Sequence, residues 1–320
     1  MPFCLFQKFC PNDLAWDYYC KIMLSKITDS IPLHKKGLIY ISFCALLWSS
    51  GGLFIKVLTL DAYQISFYRS FIAAITIIVI SLIKKINFKF EFDKISVMCS
   101  LTYSFILVLF VIATKLTTAA NAIFLQFTAP IYLLILEPVF LKTKFEKKNL
   151  IALIFCLFGM VLFFFGKLDM TSIKGNLLAI GSGISFALFT LFLKWKKQIH
   201  KTENTIVYII AGNILVCIFC FPLVYDKLMV EFSQAMILLY MGVFQIGISY
   251  IIFNEGIKYI SATESMIIAM LEAILNPVWV FLGVGEVPTV YSIIGSVIIL
   301  LTIVWRNLFI KPEEKINIAD

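Results

Sequence analysis

Residues 36–57 read KGLIYISFCALLWSSGGLFIKV, and residues 174–195 read KGNLLAIGSGISFALFTLFLKW. Each stretch places roughly 20 mostly apolar residues between lysines, the length a helix needs to cross about 30 Å of hydrocarbon. Neither shows the two-residue alternation of a barrel strand, so helix is the form expected. Laid over one another they match in register. Lys36-Gly37 meets Lys174-Gly175, Leu53-Phe54 meets Leu191-Phe192, Lys56 meets Lys194, and Trp48 falls opposite Phe186. An apolar helix matches another by chance, but three shared polar or glycine positions in register point to an internal repeat.

The same kind of segment recurs along the chain. Spans are expected at 38–58, 64–83, 95–114, 117–141, 149–166, 174–193, 204–223, 234–256, 260–283 and 289–309. Of the 320 residues, 61% are hydrophobic and 14% charged, against roughly 25% charged for a soluble domain, so much of the surface is expected to face lipid. With the N-terminus on the cytoplasmic side, 21 of the 27 lysines and arginines fall on that side and five on the other, while Arg69 lies within a span. This asymmetry supports both the span count and the orientation. Because the net charge of +8 is spread between spans rather than gathered on one face, it points to lipid headgroups and no nucleic acid.

Further on, at an offset of 143, Lys115 meets Lys258, Ala119 meets Ala262 and Ile131 meets Ile274. The repeat unit therefore holds five helices, and an odd number forces the second copy to enter the membrane from the opposite side. The fold class expected is all-α integral membrane, with ten transmembrane helices as two inverted five-helix repeats. The organisation expected is a cytoplasmic segment 1–37, with Met23 as an alternative start, repeats at 38–166 and 174–309, and a cytoplasmic tail at 310–320. Abundant Lys, Ile and Phe fit an AT-rich bacterial genome, so the location expected is a bacterial inner membrane with both termini cytoplasmic.

Several stretches resemble the EamA-type members of the drug/metabolite transporter superfamily. They are Trp48-Ser49-Ser50-Gly51-Gly52 with Phe54 and Lys56, Phe67-Tyr68-Arg69-Ser70-Phe71-Ile72-Ala73, Ala119-Ala120-Asn121-Ala122, Thr128-Ala129-Pro130, Leu271-Glu272-Ala273 and Asn276-Pro277. The likeness runs from about residue 36 to 309. Where the family often has proline directly after the glutamate of the ninth helix, this chain has Ala273. The resemblance implies a central cavity lined by the first, third, fourth, sixth, eighth and ninth helices. It also implies transport of small solutes such as amino acids and related metabolites, drugs, nucleotide-linked compounds or vitamins.

Candidate cavity residues follow from depth. Glu272 lies about twelve residues into the ninth span, roughly 18 Å deep; a carboxylate there is costly and belongs in a bundle interior or a wet cavity. Its expected work is to bind a substrate ammonium or couple a proton, beside the plainer reading of a structural carboxyl. Gln126 in the fourth span, with Asn121 one turn further out, offers amide donors and acceptors that could serve a polar solute or an interhelical bond. Trp48, Tyr103, Gln245, Tyr250 and Trp279 are candidates for the aromatic and amide wall, or for packing. Pro130 and Pro277 are expected to kink their helices as gates or static bends. Arg69 is expected as an ion-pair partner or an anchor reaching the outer headgroups, and Glu264 and Glu286 as solvated helix ends.

The function expected is secondary transport of a small polar metabolite by alternating access, with a passive channel as the alternative. A proton or another solute is the candidate coupling partner, beside the small-molecule substrate and membrane lipids. No GxxxxGK[ST] loop is present, which argues against ATP hydrolysis of the P-loop kind. With His34 and His200 both outside the spans and no zinc-type cysteine spacing, no metal, cofactor or catalytic constellation is expected. Connecting loops of about ten residues are short for a sensing receptor.

Overall fold

The computed structural model describes residues 32–86, 88, 91–165, 172–199, 204–275, 279 and 289–309, and every regular element among them is helical. Among the described residues, eight helices are long and apolar enough to cross a membrane. They are α1 Leu33–Val57, α2 Ala62–Ile83, α3 Lys94–Leu116, α4 Ala119–Leu141, α6 Ile173–Ile199, α7 Ile206–Val224, α8 Phe232–Gly256 and α10, which is helical over Val290–Phe309. Between them lie α5, the 17-residue Lys147–Phe163, and α9, which begins with Ala262–Ala269 and is described to residue 275. Pro277 and Glu286 lie outside the described residues.

The helices fall on the expected stretches and differ at their ends. α6 continues to Ile199 because Lys196, which a hydropathy count places outside the lipid, is buried and bonded to Glu91 at 2.8 Å and Asp93 at 2.6 Å. Local chemistry fixes the starts. Asp61 caps α2 by accepting from Tyr63 N and Gln64 N, with Gln64 reaching back to Asp61 N. Asp93 caps α3 by accepting from Ile95 N and Ser96 N. Hydrogen bonds from Lys196 and Ser96 outweigh the cost of burial and hold the Asp93 carboxyl well below the usual carboxylate range.

Apolar stripes cover the outside. Phe71, Ile75, Val79 and Leu82 on α2, Ile151, Ile154, Phe155 and Phe158 on α5, and Ile293, Ile294, Val297 and Leu301 on α10 are exposed at helical spacing. In water such stripes would form an untenable apolar surface, and in a bilayer they face acyl chains.

The halves are inverted. α1 runs from a near face, where His34 Nε2 lies 2.8 Å from Glu264 Oε1 at the start of α9, to a far face, where Lys56 Nζ donates to Thr117 O (2.6 Å) just before α4. α6 runs the other way. It starts beside Asn121, whose Nδ2 donates to Asn176 Oδ1 (2.9 Å), and near its end Lys194 Nζ donates to Ile257 O and Ile260 O, each at 2.7 Å.

Packing obeys the exchange of each helix with the one five places later. α3 packs on α6 as α8 packs on α1; α4 on α6 as α9 on α1; α3 on α7 as α8 on α2. The pairs α2–α7, α4–α9 and α5–α10 join each helix to its own counterpart. The last pair is close. A Cβ on Gly295 would stand 2.6 Å from Phe163 N, and one on Gly159 would stand 3.0 Å from Gly295 O, so neither position has room for alanine.

The symmetry extends to single residues at the offset of 143. Thr118 caps α4 by accepting from Asn121 N, and Ser261 caps α9 by accepting from Glu264 N. α4 is interrupted at Phe127–Thr128 and α9 at Met270. Pro130 follows the first interruption, whereas Ala273 holds the equivalent place after the second. The interruption therefore belongs to the repeat, and proline is not required for it.

Candidate functional site

The interruptions meet at mid-depth around a cavity of about 30 Å³ lined by Trp48, Arg69, Ile106, Leu107, Phe110, Gln126, Phe186, Gln245, Ile246, Tyr250 and Glu272. The lining comes from α1, α3, α4, α6, α8 and α9, together with Arg69 from α2.

Backbone irregularity sets the aim of the polar residues. α1 breaks at Ser49–Ser50, immediately after Trp48. Trp48 Nε1 donates to Ser249 Oγ (2.8 Å), and its ring lies 5.1 Å from that of Tyr250 and 5.7 Å from that of Phe186. α8 is wound as a π-helix over Met241–Ile248, a form concentrated at functional sites. The wider turn carries Gln245 to the cavity, where its Nε2 donates to Trp48 O (3.3 Å), freed by the break in α1. Gly51 makes this possible, since a Cβ there would occupy the Gln245 amide.

Gln126 is the last residue of α4 before its interruption, and its Nε2 donates to Ser182 Oγ (2.9 Å) on α6. Pro130 has no N–H to offer the Gln126 carbonyl. Gly183 lets α6 press against that carbonyl, which would stand 2.7 Å from any Cβ there.

Of the residues expected from sequence, the cavity brings together Trp48, Gln126, Gln245, Tyr250 and Glu272. Three others lie elsewhere. Tyr103 is buried behind Tyr250, edge-on at 4.7 Å, and its hydroxyl accepts from Asn213 Nδ2 (3.2 Å). Asn121 sits at the far end, bonded to Thr117 and Asn176. Trp279 Nε1 donates to Ser49 Oγ (2.6 Å), bracing the break in α1.

Arg69 is not at a headgroup. It is 3% exposed and part of the cavity wall, because its position on α2 turns it towards α8 rather than lipid. Glu264 is not a solvated helix end. It is 4% exposed and bonded to Arg306 Nη1 on α10 as well as facing His34. Arg306 in turn donates from Nε (3.0 Å) and Nη2 (2.9 Å) to Asn149 Oδ1.

Sequence reasoning missed Glu137. Buried near the end of α4, it accepts from Ala262 N (2.8 Å), Thr263 N (2.7 Å) and Thr263 Oγ1 (2.6 Å), and so fills the N-terminus of α9 with a carboxylate. The signal available was an acidic residue inside an otherwise apolar helix, beside Pro138.

Comparison with known proteins gives a consistent picture. The EamA-like transporter family model matches this chain twice, at residues 35–165 and 173–308. An uncharacterized transporter of Bacillus subtilis, YdfC, is 24% identical over 221 residues, covering 68% of this chain and 72% of the relative. An uncharacterized transporter of Clostridium kluyveri is 25% identical over 287 residues, covering 83% of this chain and 91% of the relative. A solved crystal structure superposes with a TM-score of 0.73 at 12% identity, covering 86% of this chain and 97% of that one. That last likeness speaks to fold alone.

Proposed function

We propose a transport mechanism from one premise: this chain belongs to the EamA-like transporter family. It is a multi-pass membrane protein, and the solute it moves is a small polar metabolite, with amino acids and related compounds first in line. The mechanism is secondary transport by alternating access. The observation that carries this reading is a buried cavity holding Gln126, Gln245 and Glu272 between two halves that run in opposite senses.

Two similar halves of opposite orientation can exchange conformations, and the exchange opens the same cavity first to one face and then to the other. The lysine and arginine asymmetry supports a near face on the cytoplasmic side, and the membrane proposed is a bacterial inner membrane. Energy comes from a solute or proton gradient.

The test is flux into proteoliposomes across a panel of amino acids, nucleotides and vitamins. Saturable uptake with counterflow is expected for at least one solute. A folded protein that moves none of them, or moves them without saturation or counterflow, would overturn the carrier mechanism. A narrower outcome concerns the coupling solute: Glu272→Gln is expected to abolish the pH dependence of flux. Unchanged pH dependence would remove Glu272 from proton coupling.

A further inference from the structure

Arg69 and Glu272 are groups of opposite charge when ionised, are 3% and 6% exposed, and line one cavity. They do not touch. No nitrogen–oxygen approach of 4.0 Å or less joins them, and among the described residues neither makes a hydrogen bond. Arg69 Nη1 is a buried donor without an acceptor, and Gln245 Oε1, in the same lining, is a buried acceptor without a donor. A buried guanidinium or carboxylate left unpaired is expensive, and mutual contact would relieve much of the cost.

The fold holds them apart. Gly242 brings the π-helical stretch of α8 against the α2 backbone, where its Cβ would meet Arg69 O at 3.2 Å. Glu272 rides on α9, whose start is pinned by Glu137. The cavity therefore presents an unfilled donor and a positive charge on one element, and unfilled acceptors with a negative charge on others. Trp48, Phe186 and Tyr250 supply aromatic wall between them.

We infer that the cavity is built for a small zwitterion, whose carboxylate is bound by Arg69 and whose ammonium is bound by Glu272 and the Gln245 oxygen. The inference rests on the transporter reading and narrows it. An organic cation would satisfy Glu272 and leave Arg69 bare; an anion would do the reverse; an uncharged sugar would neutralise neither. Discrimination against each comes from the group left unpaired. Gln126 and Tyr250 are left to read the rest of the solute.

The test uses the purified full-length chain in detergent. Its thermal unfolding midpoint is followed as each of the twenty standard amino acids is titrated, then the amide and the N-acetyl derivative of each one that stabilises. A ligand that binds only the folded form raises the midpoint by mass action. The expected result is at least a tenfold weaker response to the amide, which lacks the carboxylate, and to the N-acetyl derivative, which lacks the ammonium. Arg69→Gln is expected to bring the parent-to-amide ratio towards one, with Arg69→Lys restoring part of it. Glu272→Gln is expected to do the same for the parent-to-acetyl ratio.

These ratios do not move when a substitution merely weakens the fold. Should a variant fail to fold, the wild-type ratios decide alone. An amide or acetyl derivative as effective as its parent overturns the inference. If that same solute shows saturable flux in proteoliposomes, the transporter reading stands without it. Neither stabilisation nor flux from any compound overturns both.

Discussion

At the far end of the bundle Thr118 caps α4, Asn121 follows three residues later, and its amide donates to Thr117 and Asn176. At the near end Ser261 caps α9 in the same way, but Glu264 stands in the place of Asn121. The near-end network is charged: Glu264 faces Arg306 and His34, and Glu137 sits across the helix N-terminus. One element is common to both ends. Lys56 at the far end and Lys194 at the near end occupy the same place in the repeat, and each donates to the carbonyl of the residue before the capping residue, Thr117 O and Ile260 O. The repeat thus supplies a lysine latch at both faces, and among the described residues the near closure adds the buried Glu264–Arg306 ion pair.

That contrast can be broken most severely at Arg306. Arg306→Ala leaves Glu264 buried with His34 as its remaining described side-chain partner, and breaking a buried ion pair from one side costs about 3–5 kcal/mol. Chemical denaturation in detergent is expected to show that loss. Glu137→Ala comes next, at about 3 kcal/mol, since it strands the N–H groups of Ala262 and Thr263. Their rescue by Glu137→Asp would be partial.

At the far end the equivalent insult is mild. Asn121→Ala removes the hydrogen bonds to Thr117 and Asn176, worth about 0.6–1 kcal/mol. If Asn121→Ala proved as damaging as Arg306→Ala, the two ends would not differ as described.

The smallest effect is expected at Asp93, which is partly exposed and screened. Its folded-state carboxyl is depressed by Lys196 and Ser96, so its contribution is present above the ordinary carboxylate range near pH 4 and is lost as pH falls through the folded value. Wild type is therefore expected to lose slightly more stability than Asp93→Asn between pH 5 and 3.

Much of the fold was legible because the bilayer leaves little choice. Long apolar runs must be helices, and an odd repeat number forces inversion. The residues that matched best in the two repeat stretches, Lys56 and Lys194, prove to be the latches. Depth was read for Gln126 and Glu272, and both stand in the lining of one cavity.

Azimuth was not legible. Arg69 stands near a helix end by count and reads as a headgroup anchor, but the rotation of α2 turns it inward. Tyr103 is at a suitable depth and is screened from the cavity by Tyr250. Gln245 owes its aim to a π-helical turn, for which the sequence offers only flanking Gly242 and Gly247. Glu264 and Glu137 sit near helix ends, where a carboxylate ordinarily finds water; here α9, α10 and the start of α1 converge and exclude it.

The most direct test of alternating access is the accessibility of one cavity position from each face. Gln126→Cys in a background with the native cysteines replaced would be labelled by a membrane-impermeant maleimide in right-side-out and inside-out vesicles, with the latches intact and with Lys56→Met or Lys194→Met. Alternating access predicts labelling from both faces. It also predicts that the two latch variants shift it in opposite directions, Lys56→Met towards the far face and Lys194→Met towards the near face. Labelling from a single face in every variant, or both variants shifting it the same way, would contradict a mechanism in which two inverted halves take turns exposing one central cavity.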